Sequence, residues 1–381
     1  MVDPLRQEIA ASASTIVVKV GTRVLTHENG TLNENQIAAL SDQLNAVCAR
    51  GRRVVLVSSG AVGAGMSELG LKKRPTDLAR LQAVAAIGQA KLIETYNRSI
   101  RPHGRQAAQV LLTADDLQDR KRYLNVRNTL LSLLECHAIP IINENDTVAV
   151  DELMATFGDN DRLAALVTCL IGAPLLIILS DVAGLYNGDP AIPTSKLIET
   201  VRQVDDSVLG FAQSHKTGLS KGGMSSKLNA ARIVTTAGEN VIIASGRKPS
   251  VLTQILDGEP VGTLFLAQGR GVSPWKRWIA FSNRPSGRLL LDPGACQAIV
   301  QQGRSLLAIG IVRREGHFEK GDIVSICDTQ GRELARGLSN YPAAEIDQIR
   351  GQNSNEIGSI LGYRSYDEVI HRDNLVVVVP A

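Results

Sequence analysis

Between residues 15 and 265, short apolar runs alternate with longer stretches of helical period, which restricts the chain to βαβ units on a mostly parallel sheet. Strands are expected at Thr15 to Val20, Arg53 to Val57, Gln106 to Leu112, Ile139 to Ile142, Leu175 to Leu179 and Asn240 to Ala244. Among them, Ile37, Leu40, Leu44, Val47 and Cys48 mark one helix, Leu78 to Arg98 a second and Ser225 to Ala237 a third. Crossover helices of this length join parallel strands right-handedly and cover both sheet faces, so the expected fold class is α/β with a doubly wound sheet.

The most informative junction lies between residues 138 and 173. The apolar run Ala138 to Ile142 stops at Asn143-Glu144-Asn145-Asp146, and a second polar knot, Gly158-Asp159-Asn160-Asp161, follows. Leu163, Leu166, Val167, Leu170 and Ile171 then recur with the period of a buried helical face, with the Asp/Asn knot at its N-terminal cap. In open α/β sheets ligands bind beyond the carboxyl ends of the strands, so these amides and carboxylates sit where a polar small molecule would be held.

Four further strand or helix ends carry charge or glycine. Val18-Lys19-Val20-Gly21-Thr22 puts an ammonium at a strand tip, beside a backbone that an anion can approach; a plain strand-end lysine is the alternative. Ser58-Ser59-Gly60-Ala61-Val62-Gly63-Ala64-Gly65 turns a strand into a helix whose exposed N–H groups suit a phosphate or carboxylate, although tight helix packing would equally explain Gly63 and Gly65. Ser220-Lys221-Gly222-Gly223-Met224-Ser225-Ser226-Lys227 places lysine in a first helical turn, where it opposes the dipole and calls for an anion. In Leu179-Ser180-Asp181, the aspartate either receives a ribose hydroxyl or caps a turn.

Around Gly269 to Pro274 the composition turns to Gly, Ser and Pro, and short strands with frequent turns follow. The expected organisation is an N-terminal extension over 1–14, the α/β domain over 15–268, a linker over 269–278 and a smaller β-rich domain over 279–381. Residues 276–381 hold 13 Lys/Arg and 12 Asp/Glu, which gives no electrostatic support for RNA binding. Trp275 and Trp278 near the boundary could stack bases, but packing is the simpler use.

Other chemistries are excluded by what the sequence lacks. The third glycine of the dinucleotide fingerprint is replaced by Glu68, which argues against an NAD enzyme. The cysteines Cys48, Cys136, Cys169, Cys296 and Cys327 are scattered without CxxC spacing, so buried reduced thiols are expected and no metal site. The first residues lack a secretory pattern and the apolar runs are strand length, so a cytoplasmic location without a membrane span is expected.

Taken together, Lys19, Ser59 with its glycines, Asp146 with Asn160 and Asp161, Asp181, and Lys227 converge on one edge of a doubly wound sheet. Two cations and two N–H-rich turns suit a polyphosphate, and the Asp/Asn cluster suits an ammonium-bearing partner. Phosphoryl transfer depends mainly on positioning and charge neutralisation. An acceptor carboxylate is already ionised at neutral pH and needs no general base, in keeping with a site that lacks a candidate histidine.

The sequence resembles the amino acid kinase family, and within it the glutamate 5-kinases. The resemblance rests on Val17 to Thr22, Ser59-Gly60-Ala61, Ile141 to Asp146, Gly158 to Asp161, Gly222-Gly223-Met224, Ile243 to Gly246 and Ile370 to Asp373; the C-terminal part is similar to a PUA domain. The resemblance implies an amino acid kinase fold and transfer of phosphate from ATP to L-glutamate, with Mg2+ on the nucleotide. It implies that Lys19 and Lys227 neutralise the moving phosphoryl group and that Asp161 fixes both lysines. Ser59, Asp146 and Asn160 would hold glutamate, helped by Asn143 and Asp159, while Gly60 and Ala61 offer backbone donors. Ser180, Asp181 and the turn Lys221, Gly222, Gly223, Met224, Ser225, Ser226 and Lys227 would hold ATP, with Lys19 reaching its phosphates.

Proline as feedback inhibitor, a homo-oligomer and coupling to glutamyl phosphate reductase are further implications of the resemblance. The chain departs from the family in having Lys221 where threonine is usual, and Ser180 where threonine is common. Rival readings are a related kinase acting on another carboxylate or on UMP, and an RNA-binding role through the C-terminal domain.

Overall fold

A computed structural model describes residues 3–148, 160–190, 192–213, 223–268, 274–281, 285–363 and 366–378. The chain divides into two compact units, Met1–Gly271 and Val272–Ala381.

The first unit is built on eight strands: β1 (Thr15–Val20), β2 (Arg53–Ser58), β3 (Ala107–Leu112), β4 (Ile139–Glu144), β5 (Leu175–Ser180), β6 (Thr200–Val201), β7 (Asn240–Ser245) and β8 (Thr263–Phe265). Their order is β3-β4-β2-β1-β5-β7-β8-β6, and only the β7–β8 pair is antiparallel. All six residues of β1 and of β5 are buried, as Val/Ile/Leu-rich strands covered on both faces must be. After β1 the chain passes to β2, jumps to β3 at the sheet edge, returns to fill the place between them with β4, and then crosses to β5 on the opposite side of β1. This reversal creates a switch point between β1 and β5, where a crevice opens at the carboxyl ends of the strands.

Several strands run past the apolar residues that announce them. Ser58, Asn143, Glu144, Ser180 and Ser245 all belong to strands, with Val20 paired to Ser58 and Ser180 to Ser245. The parallel ladder joins backbone groups and does not depend on the side chain, so polar residues continue it into the crevice. Four helices carry the expected segments: Glu34–Ala49, Leu78–Ile100, Asn160–Ile171 and Met224–Thr236. Asn160 and Asp161 lie within the first turn of their helix, so at least these two members of the polar knot are helical residues and not its cap.

The helix Ala61–Glu68 lies close against Leu78–Ile100. A Cβ on Gly65 would stand 1.9 Å from the Val84 carbonyl oxygen, and one on Gly88 would stand 1.8 Å from that of Ala61. Gly65 is therefore a packing residue, and Gly63, whose Cβ would meet the Gly30 carbonyl oxygen at 2.8 Å, is another.

The N-terminal segment carries a helix, Pro4–Ser12, capped by Asp3. From it the buried guanidinium of Arg6 donates to the carbonyls of Val261, Glu199 and Gly262 at 2.7, 2.6 and 3.0 Å. It thus ties the two chain segments leading into β6 and β8.

The second unit contains β9 (Gly287–Leu291), β10 (Ile311–Gly316), β11 (Ile323–Cys327), β12 (Glu333–Leu338) and β13 (Leu375–Val377), in the order β10-β9-β11-β12-β13. Leu289, Ile326, Tyr341 and Ile346 belong to its core, in keeping with the small β-rich domain expected from sequence. The stretch read as a linker runs into the helix Pro274–Phe281, where Trp278 is buried. All five cysteines are free, but against expectation Cys136 is exposed and Cys296 only half-buried. Among the described residues, no helix is long and apolar enough to cross a membrane.

Candidate active site

The tips of β1, β2, β4 and β5 meet around the start of the Asn160–Ile171 helix. Backbone hydrogen bonds continue to link β2 to β1, β1 to β5 and β7 to β5 beyond the sheet: Ser59 N–H donates to Val20 O, Gly21 N–H to Leu179 O and Gly246 N–H to Ser180 O.

At the centre is Asp161, one of the most buried charged groups in the chain. One carboxylate oxygen meets Lys19 Nζ at 2.7 Å and the other meets Lys227 Nζ at 3.1 Å. All three side chains are under 10 % exposed, at 3 %, 6 % and 9 % for Asp161, Lys19 and Lys227. Burial alone would raise the Asp161 pKa, but the charges and hydrogen bonds of Lys19 and Lys227 overcome this and hold it below the ordinary carboxylate value. Three buried charges of this kind survive only because each has a partner. Lys19 comes from a fully buried strand and Lys227 from the first turns of the Met224–Thr236 helix, so the sheet and a helix deliver one cation each.

Beside this triad runs a chain of amides. Asn160 Nδ2 donates to Ser59 Oγ at 2.8 Å and to Asn143 Oδ1 at 3.1 Å, and Asn143 Nδ2 donates to Gln89 Oε1 at 2.8 Å. Ser58 Oγ lies 2.9 Å from Tyr96 hydroxyl, fixing the end of β2 against the Leu78–Ile100 helix. Gly60 adopts φ 113°, a left-handed conformation suited to glycine, and starts the Ala61–Glu68 helix. Gly60 and Ala61 therefore adjoin Ser59 at the N-terminus of a helix, where N–H groups lack intrahelical partners.

Two predicted residues stand apart from this cluster. Asp146 follows β4, and burial raises its pKa to about 6, opposed by the charge of Arg74. Asp181 is exposed; its carboxylate accepts from Ser180 Oγ at 3.1 Å and pairs with Arg23 at 3.0 Å. Gly223 leads into the Met224–Thr236 helix, whose first turn carries Ser225 and Ser226. Asp159, Lys221 and Gly222 lie outside the described residues.

Sequence reasoning missed Gln89, Arg23 and Arg74. Gln89 left a signal: Ala85, Gly88, Gln89 and Leu92 fall at i, i+3, i+4 and i+7, and all are buried. A polar residue on a buried helical stripe needs a partner there. Arg23, in the short helix Thr22–Leu25, and Arg74, in a polar segment, carry no comparable mark.

Residues 14–245 match the amino acid kinase family. The chain belongs to that family. Residues 287–361 match the PUA domain. A glutamate 5-kinase of Thermoanaerobacter sp. (strain X514) is 50 % identical over 364 residues, covering 95 % of this chain and 97 % of its own. One from Rhodopirellula baltica is 49 % identical over 377 residues, covering 99 % and 97 %. A solved UMP kinase from Bacillus anthracis aligns over 67 % of this chain and 97 % of its own at 13 % identity, with a TM-score of 0.46. In this amino acid kinase the paired lysines and the neighbouring amide chain are both anchored on the first turns of helices and the tips of parallel strands.

Proposed function

We propose that the protein phosphorylates the γ-carboxylate of L-glutamate with ATP, giving L-glutamyl 5-phosphate and ADP, the first step of proline synthesis. The observation that carries this reading is the pair of buried ammoniums, Lys19 and Lys227, sharing Asp161 beside the chain of amides from Ser59 to Gln89. Near-full-length likeness to proteins named glutamate 5-kinase supports the choice of substrate.

In this reading Lys19 and Lys227 neutralise charge on the phosphoryl group as it moves, and Asp161 sets their spacing. Ser59, Asn160 and Asp146 hold glutamate with help from Asn143 and Asp159, while Gly60 and Ala61 direct N–H groups toward the reacting carboxylate. Ser180, Asp181 and the turn from Lys221 to Lys227 hold ATP. The attacking carboxylate is ionised at neutral pH, so proton abstraction is not needed.

Magnesium fits this arrangement as a passenger of the nucleotide. Among the described residues no group of three or more His, Cys, Asp or Glu side chains could hold a metal, and both oxygens of Asp161 face lysines. Bound to the phosphates, Mg2+ would neutralise part of their charge.

The reading extends to feedback inhibition by proline at the glutamate site, a homo-oligomer, a cytoplasmic location, and consumption of the labile acyl phosphate by a glutamyl phosphate reductase. Trapping with hydroxylamine tests the central reaction: hydroxamate must form only when ATP and glutamate are both present. No hydroxamate, with ADP release on aspartate, acetylglutamate, carbamate or UMP, would assign the chain to a related kinase instead.

A further inference from the structure

The amide chain beside the paired lysines does not end at Asn143. Its last member, Gln89, is 7 % exposed and comes from the middle of the Leu78–Ile100 helix. Its Oε1 accepts from Asn143 Nδ2 at 2.8 Å, while its Nε2 is buried without a hydrogen-bond partner, so the Gln89–Asn143 bond ties the orientations of the two amides to each other. With Nδ2 committed to Gln89, Asn143 must present Oδ1 to Asn160 Nδ2, at 3.1 Å. Asn160 Nδ2 then reaches Ser59 Oγ at 2.8 Å and leaves Asn160 Oδ1 buried without a hydrogen-bond partner. An open acceptor of that kind suits a ligand ammonium. If the Asn143 amide flipped, Asn160 would face a second donor and would have to turn as well.

Gln89 can reach Asn143 only because its neighbour has no side chain. A Cβ on Gly88 would lie 1.8 Å from Ala61 O and 2.2 Å from Gly65 N, so glycine lets this helix settle against the turn that follows Ser59. The approach and the hydrogen bond come from consecutive residues of one helix.

We infer that Gln89 is a positioning residue for glutamate: through Asn143 it sets the orientation of the Asn160 amide, and so the acceptor offered to the substrate's ammonium. The inference rests on the glutamate kinase reading. It concerns binding of the amino acid and not the phosphoryl machinery, since Gln89 has no hydrogen bond to Lys19, Asp161 or Lys227 among those described.

The experiment measures glutamate and ATP KM, kcat and melting temperature for the full chain and for Gln89→Met, Asn143→Ala and their double variant. Gln89→Leu, of similar volume, replaces Gln89→Met if the latter does not fold. The expected result is a glutamate KM raised about tenfold by the Gln89 variant, with ATP KM and kcat within about twofold. Because Gln89 acts through Asn143, the double variant should be no worse than Asn143→Ala alone, the signature of two residues in one network. An unchanged glutamate KM in a folded Gln89 variant overturns the inference. So does an equal rise in both KM values, or penalties that multiply in the double variant. Lack of glutamate-dependent turnover in the unmodified chain would instead reject the glutamate kinase reading itself.

Discussion

Asp161 is shared: Lys19 holds one of its carboxylate oxygens at 2.7 Å and Lys227 holds the other at 3.1 Å. Two like charges from distant parts of the chain are thereby kept side by side in a buried setting, where neither could remain ionised alone at low cost.

Removing the shared anion should therefore unfold the site before it alters chemistry. Asp161→Asn leaves two buried ammoniums facing one another, and the expected loss is about 3–5 kcal/mol in urea unfolding at pH 7. The depressed pKa of Asp161 adds a pH signature: its stabilisation is present above the ordinary carboxylate range and disappears as pH falls through the lowered value. The acid limb of the stability curve should flatten in the Asn variant; an unchanged limb would remove Asp161 from the linkage.

Each lysine should matter to turnover more than to folding. Lys19→Ala and Lys227→Ala are expected to lower kcat by roughly 100-fold or more, the scale found when a preorganised transition-state charge is removed. Normal ADP release in either variant would exclude that lysine from phosphoryl transfer.

Asp146 should give the glutamate reaction an acidic limb. With its pKa raised to about 6, the ionised form that would receive an ammonium is lost as pH falls through that value. Glutamate kcat/KM should fall by up to about tenfold per pH unit below about 6, and Asp146→Asn should remove this dependence while lowering the plateau. A wild-type profile flat from pH 5 to 7 would contradict the assignment.

Lys221 is proposed to reach an ATP phosphate. Lys221→Thr should raise ATP KM and weaken its dependence on salt, because one screened charge contact disappears. Unchanged values of both would end that proposal.

Two glycines offer opposite tests of packing. Gly88→Ala must force backbone apart and should cost about 3 kcal/mol with loss of activity. Gly210→Ala, in the helix Asp206–Gln213 with open space around it, should stabilise by up to about 1 kcal/mol. Thermal melts of both variants decide whether close approach or helix propensity governs each position.

Much of the kinase domain was legible because buried parallel strands are nearly continuous apolar runs, as in Thr15–Val20 and Leu175–Ser180. Strand ends are hidden in the sequence because the side chains turn polar there, whereas Asn143 and Ser180 still pair through their backbones. The strands β6 and β8, two and three residues long, carry too few residues to show a period. Lys19, Asp161 and Lys227 were recognisable as charges at element ends. Gln89 was not, because its meaning depends on Asn143, 54 residues away.

The Arg6 guanidinium gives the beginning of the polypeptide a duty far along the chain. It grips carbonyls 193 to 256 positions away, at the segments that supply the last two strands of the sheet. Trimming the first dozen residues would strip three acceptors of their donor at once and loosen the rim of the domain. Engineering at this end is thus an intervention in the β6–β8 edge of the sheet, and a tag placed there should leave the Pro4–Ser12 helix whole.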